Sequence, residues 1–165
     1  MASDDFEAFY VAHYGRLVGQ LLTMLGDLAE AEDAVQEAFV RASVRWRWLC
    51  AYDAPDAWVR KVAFNLARSS LRRARSRLRA TARLTAPSAV PAASAELLDV
   101  LAAMRRLPLR QREVLVLHYV VGLSVEEIAR QLTVPAGTVK SRLARGRAAL
   151  VRRLGAAEEE VTGRA

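Results

Sequence analysis

Cysteine is almost missing from this chain: Cys50 is the single one among 165 residues. One thiol cannot build an internal disulfide framework, and it argues against a cysteine-based metal site. Histidine is nearly as scarce. His13 and His118 each fall on an apolar helical stripe, and neither joins a visible ligand cluster or nucleophilic triad, so both read as structural. No metal, no cofactor and no enzymatic activity are therefore expected. Long apolar runs are also lacking. The nearest, LVLHYVVGL, falls far short of the roughly 20 residues that span a bilayer, so direct membrane insertion is not expected. MASDDFEAF has neither the basic start nor the apolar core of an export signal, which makes the cytoplasm the expected compartment. Strand-like alternation is rare, while alanine, leucine and arginine dominate. The expected fold class is all-α.

Acids are absent where bases gather, and bases where acids gather. The net charge of +7, from 25 basic and 18 acidic residues, says little by itself. Its distribution says more. Residues 27–40 contain Asp27, Glu30, Glu32, Asp33 and Glu37 and no base; residues 60–83 contain nine bases and no acid; residues 138–153 contain six bases and no acid. Such segregation suggests partners with different surfaces.

Helical periodicity organises most of the chain. Phe6, Phe9, Tyr10, His13, Tyr14, Leu17, Val18, Leu21 and Leu22 recur at steps of three and four, which predicts a helix over about 4–25 ended by Gly26. Asp27 is a candidate cap for a second helix over about 28–45, with Ala31, Ala34, Val35, Ala38, Phe39 and Ala42 inward. Asp33, Gln36 and Glu37 then share an exposed face. WRWLCAYDAP is an aromatic connection, and Pro55 suits the first turn of a third helix over about 55–78. Seven arginines between 68 and 83 exceed any capping need. Residues 80–94 are rich in Ala, Pro, Ser and Thr and read as a flexible linker. Helices return over about 95–106, 109–121, 124–132 and 135–153, followed by a short polar tail. Two small helical domains joined by a linker, 1–79 and 95–154 flanking 80–94, with a tail over 155–165, is the expected organisation.

The stretch SVEEIARQLTVPAGTVKSRLARGR changes sign across a break. Ser124 and Glu127 have capping-box spacing, and Val125, Ile128, Ala129 and Leu132 form an inward face. Thr133 and Val134 make a corner, Pro135 starts the next helix, and Val139, Leu143 and Leu150 face inward there. This is helix, tight corner, basic helix, the arrangement whose second helix enters the major groove of DNA. Lys140 and Arg145 can reach guanine acceptors or phosphates, Ser141 can bond to either, and Ala144 can lie against a thymine methyl. A solvated basic helix inside a small bundle is the alternative on this segment alone.

Four stretches in order, DFEAFYVAHYGRLVGQLLTMLGD, AEDAVQEAFVRA, PDAWVRKVAFNLARSSLRR and LPLRQREVLVLHYVVGLSVEEIARQLTVPAGTVKSRLARGRAAL, resemble the extracytoplasmic-function RNA polymerase sigma factors of the sigma-70 superfamily. They are most similar to the short actinobacterial sigma-E-type branch. The resemblance covers about 5–77 and 95–154. It implies a dissociable specificity subunit that binds core RNA polymerase and directs it to promoter DNA, the first domain opening the −10 element and the second reading the −35 element.

Residue by residue, the resemblance assigns Asp33, Gln36 and Glu37 to the coiled coil of the polymerase's largest subunit. It assigns Trp48 and Tyr52, beside Trp46, to capture of an unstacked base, although these rings could equally cap the core. Arg60, Lys61, Asn65 and Arg68 correspond to −10-facing residues, and Arg72 and Arg73 to phosphate contacts. Arg112, flanked by Arg105, Arg106 and Arg110, corresponds to upstream phosphate contacts and the polymerase flap. Thr138 joins Lys140, Ser141, Ala144 and Arg145 at the −35 element. An anti-sigma protein is a partner class of many relatives, although no segment here identifies one. Two departures stand out: Ser69 and Ser70 occupy a neighbourhood where the family often has Asp, and Val44 a position where an aromatic is frequent. Two other classes compete, a helix–turn–helix regulator that never joins polymerase and a protein-binding helical adaptor. The first leaves AEDAVQEAF and the basic third helix without work.

Overall fold

The computed structural model describes the backbone of residues 2–80 and 94–162, and the side chains of residues 5–74 and 94–155. The expected linker lies, apart from its two ends, outside the described residues. All regular structure within them is helical, and the chain forms two compact units that divide between residues 90 and 91.

The first unit contains α1 (Ala2–Leu25), α2 (Leu28–Val44), the single turn α3 (Trp46–Leu49) and α4 (Pro55–Ala80). Gly26 ends α1 with φ 71°, a left-handed conformation that glycine adopts without a Cβ penalty. Asp27 then caps α2, its carboxylate accepting from the Glu30 N–H at 3.0 Å. The core forms where α1, α2 and α4 meet. Leu21, Met24, Val35, Phe39, Leu49, Val59 and Phe64 are all at most 2% exposed there. Ala31, Ala38, Ala42, Ala63 and Ala67, each fully buried, leave room for the large side chains of the facing helices. Trp46 joins this core through its ring contacts with Phe6 (5.2 Å) and Phe9 (4.9 Å). Burying a side chain of this size contributes on the order of 1.5–3 kcal/mol, so α3 is held by its aromatic side chain and not by its four-residue backbone.

The second unit contains α5 (Ala95–Arg105), α6 (Leu109–Leu115), α7 (Val125–Leu132) and α8 (Ala136–Thr162). Ser94 caps α5, accepting from the Leu97 N–H at 3.2 Å. α6 passes directly into one π-helical turn, Val116–Val120, where the predicted helix over 109–121 loses its regular register. The Val121 N–H donates to the Val116 carbonyl at 3.0 Å, and the His118 Nδ1–H donates to the Leu123 carbonyl at 2.9 Å. His118 is thus a satisfied structural histidine, as read from its place in the apolar stripe. Val114, Val116, Leu117, Ile128 and Val139 are fully buried. α8 approaches α6 closely: a Cβ on Gly146 would stand 3.1 Å from Leu115 Cδ1. α8 also runs past Leu154 into the stretch expected to be a tail.

The capping box predicted at Ser124 is present in full. Its hydroxyl accepts from the Glu127 N–H at 3.2 Å, and the Glu127 carboxylate accepts from the Ser124 N–H at 2.8 Å. α7 has only eight residues, so its start depends on this cap more than a long helix would. Ser124→Ala is expected to lower the unfolding free energy by about 1 kcal/mol, read as a lower urea midpoint at unchanged slope. An unchanged midpoint would show that the box contributes nothing.

Candidate functional site

Three exposed surfaces carry the residues singled out in the sequence. The first is the helix–turn–helix. Its corner rests on Thr133, which has φ 54° and ψ 51° and is the one non-glycine residue with positive φ among those described. This left-handed step lets the Val134 N–H donate to the Ala129 carbonyl at 3.0 Å and turns the chain into α8. Pro135 sits just before α8, its carbonyl accepting from the Thr138 and Val139 N–H groups at 2.9 and 3.2 Å. It is therefore the capping residue and not the first helical one.

At about 100° per residue, Lys140, Ala144, Ser141 and Arg145 span roughly 140° of α8, away from Val139, Leu143 and Gly146. All four are exposed, and Thr138 is half-buried at the edge. Arg145 lies along its own helix, donating from Nη2 to Ser141 Oγ at 3.0 Å and from Nε to the Ser141 carbonyl at 3.3 Å. The Ser141 hydroxyl in turn donates to the Thr138 carbonyl at 3.2 Å. Arg112, expected on the DNA side, is not on this surface. It is 4% exposed and lies in the core beside Glu113, which is 2% exposed. Arg112 follows the buried Leu109 by three residues, and that spacing turns it inward with the apolar side chains of α6.

The second surface is the outer side of α2. Asp33, Gln36 and Glu37 are exposed together, while Ala34, Val35 and Ala38 are buried. Glu37 Oε1 accepts from Arg41 Nε at 2.7 Å, a half-exposed pair one helical turn apart. Such a pair contributes about 0.3–0.5 kcal/mol, small enough for a partner to exchange. Tyr14 of α1 borders this acid face, stacked beside Tyr10 with centroids 4.9 Å apart. Desolvation by burial, followed by the proximity of Tyr10, Glu32 and Asp33, raises its pKa above 10.0, because each disfavours the phenolate.

The third surface comprises the α3–α4 connection and α4. The aromatic residues divide sharply. Trp46 is 8% exposed and belongs to the core, whereas Trp48 and Tyr52 are 54% and 50% exposed with ring centroids 4.4 Å apart. Trp58 is half-buried. Along α4, Lys61, Asn65, Arg68 and Arg72 fall within about 60° of one another around the axis. Lys61, Asn65 and Arg72 are exposed, Arg68 is half-buried, and the Arg68 guanidinium donates to Asn65 Oδ1. Arg73 is exposed but lies to one side of this group. Arg60 departs from expectation. Its side chain is 14% exposed and is paired with Asp56 at 3.4 Å. It lies on the inward stripe with Val59, Ala63, Phe64 and Ala67, apart from the exposed group. The spacing Asp56, Arg60, Ala63, Ala67 was the available signal.

Among the described residues, no three His, Cys, Asp or Glu side chains are grouped to hold a metal, and no helix is long and apolar enough to cross a membrane.

The fold and its exposed faces define an all-α protein of two units, with an acidic face in the first and a basic helix–turn–helix in the second. Comparison with known families makes the class specific. Residues 9–77 match the family described as "Sigma-70 region 2", and residues 97–150 match "Sigma-70, region 4". The chain is 33% identical over 147 residues to "ECF RNA polymerase sigma factor SigW" of Bacillus subtilis, covering 79% of each chain. Among solved structures it is similar to CnrH in complex with the cytosolic domain of CnrY, with TM-score 0.65 and 28% identity over 93% of this chain and 90% of that one. The sigma factor RpoE in complex with the anti-sigma factor NepR from Bartonella quintana shares the fold, with TM-score 0.76 and 24% identity over 92% of this chain and 97% of that one. The chain belongs to the extracytoplasmic-function RNA polymerase sigma factors of the sigma-70 superfamily. Its function is that of the family, core polymerase binding and promoter recognition.

The raised pKa of Tyr14 has a measurable consequence. The unfolded chain ionises this phenol near 10.0, the folded chain only above that, so its contribution to stability is intact below pH 10 and is lost as pH rises further. Tyr14→Phe should flatten this alkaline loss, and Glu32→Gln with Asp33→Asn should lower the phenol's apparent pKa in an ultraviolet titration. An unmoved titration would remove Tyr14 from the neighbourhood of the acid face.

Proposed function

We propose a division of labour among the three surfaces. The exposed acids of α2, Asp33 and Glu37 with Gln36, dock on the coiled coil of the polymerase's largest subunit. An acidic face repels DNA phosphates, so a protein partner suits it. Lys61, Asn65, Arg68 and Arg72 on α4, with Arg73 beside them, follow the −10 strand, while Trp48 and Tyr52 offer exposed rings on which separated bases stack. Thr138, Lys140, Ser141, Ala144 and Arg145 face the −35 element in the major groove.

The observation that carries this reading is the placement of charge. Within the first unit the acids of α2 and the bases of α4 are exposed on different helices, while the second unit presents a separate basic helix behind a tight corner. Two weak DNA contacts on separate modules reinforce one another through effective concentration, and the stretch over 80–94 serves as the tether that crosses the polymerase surface.

The domain limits 1–79 and 95–154 follow from this division. The placement in the short actinobacterial sigma-E-type branch rests on the wording of the motifs alone. We further infer action in the cytoplasm, where core polymerase resides, a contact of the second domain with the polymerase flap, and restraint by an anti-sigma protein. The complex of the sigma factor RpoE, which shares the fold, with the anti-sigma factor NepR supports that last partner.

In vitro transcription with purified bacterial core polymerase tests the reading. Start sites that depend on added protein are expected; core binding without redirected initiation would favour an adaptor, and promoter binding without core association would favour an independent regulator. Arg145→Ala should reduce −35-dependent initiation by roughly 1–3 kcal/mol, the value of one good base contact, with core affinity retained. Glu37→Arg should weaken core association with little effect on DNA contact by the assembled holoenzyme. Coincident defects in both assays would overturn the assignment of faces.

A further inference from the structure

Arg60 looks like a DNA-binding arginine in the sequence and is something else in the fold. Asp56, in the first turn of α4, receives two guanidiniums: Arg60 from its own helix at 3.4 Å and Arg16 from α1 at 3.6 Å. Exposure falls from 60% at Arg16 through 33% at Asp56 to 14% at Arg60, so the cluster runs inward from the surface. His13, Gln20 and Phe39 complete its surroundings, with His13 bonded to Arg16 at 3.1 Å and Gln20 only 7% exposed. The cavity they leave is about 10 Å³, room for one water and for no larger ligand. The Arg60 Nε is buried without a hydrogen-bond partner among the described residues, a cost tolerated only where the side chain is held in place by other contacts.

The geometry fixes more than the local contact. Arg60 lies in the middle of the buried arc of α4, flanked by Val59, Ala63, Phe64 and Ala67, each at most 1% exposed. Lys61, Asn65, Arg68 and Arg72 are turned about 80–140° from it around the axis. The contact between Asp56 and Arg16 of α1 opposes rotation of α4, because a small roll separates these two ions, and Arg60, on the same helix as Asp56, holds the carboxylate that makes it. From this we infer that Arg60 is a positioning residue: within the arc that apolar packing selects, the Arg16–Asp56–Arg60 bridge trims the rotation of α4 against α1, and so aims the −10-facing side chains of the same helix. The inference rests on the −10 role proposed for α4.

The test uses the holoenzyme assembled from core polymerase and the full chain, with permanganate reactivity of −10 thymines as the measure of strand opening. Arg60→Met retains the aliphatic volume and removes the charge; Asp56→Asn removes the bridging carboxylate. Each is expected to reduce opening about three- to tenfold, the range for residues coupled in one salt-bridge network. The double variant should be no worse than either alone, and Arg60→Lys should restore much of the loss. Core affinity and the circular dichroism melting curve should stay near those of the parent chain.

A direct DNA contact makes the opposite prediction for Asp56. Removing an acid would then leave opening unchanged or improve it, and Arg60→Met alone would be defective with a shallower salt dependence. That pattern overturns the inference, as do two silent variants, or two variants that lose fold and core binding together while Arg60→Lys does not restore them. Lys61→Ala separates this from the parent reading: if it too is silent, the −10 role of α4 fails, whereas a defective Lys61→Ala beside a silent Arg60→Met sinks the bridge alone.

Discussion

The rotational phase of each helix about its axis is the constraint on which the rest of this protein depends. A helix buries one arc and offers the remainder to partners, and the buried arc is chosen by packing energy. In the first unit the choice is made by Leu21, Met24, Val35, Phe39, Val59 and Phe64, with alanines leaving room between them. Once these side chains meet, Asp33, Gln36 and Glu37 are carried outward on α2 and Lys61, Asn65 and Arg72 outward on α4. Function in such a protein is a by-product of apolar burial: the core aims the charges.

The second unit applies the same rule with tighter local control. α7 is short, so a reciprocal capping box defines its start and the left-handed step at Thr133 defines its end. Close approach of α8 at Gly146, where a side chain would meet Leu115, sets how deeply the basic helix sits against its scaffold. These features hold Lys140, Ser141, Ala144 and Arg145 on one exposed surface. Arg145 is folded back on Ser141, so the base contact proposed for it would exchange an intrahelical hydrogen bond for an intermolecular one.

Arginine shows most clearly why composition and position must be read separately. Arg60 and Arg112 belong to runs of bases and share every compositional signal with Lys61 and Arg110, yet both are largely buried. Arg60 finds Asp56, and Arg112 is buried with the apolar residues of α6. The long apolar stem of Arg60 accepts burial while its guanidinium requires an anion, so the acid one helical turn earlier in the sequence was a better guide than the charge run itself.

The helices, their caps and the corner of the helix–turn–helix were legible in the amino-acid sequence because each is a local matter: period 3.6 burial, the Ser124–Glu127 spacing, the Asp27 cap and the glycine at position 26 act within a few residues. The acid face of α2 and the outer face of α8 were legible for the same reason. Other features were decided only by tertiary structure. Trp46 is core and Trp48 is surface because Phe6 and Phe9 cover one ring and leave the other open. Asp56 meets Arg16 of α1 as well as Arg60 of its own helix, and the helix over 109–121 yields to a π-helical turn where the strict α register ends. Periodicity specifies which residues share a side of a helix; which other helix covers that side, and which charges it meets there, depends on contacts between segments far apart in the chain.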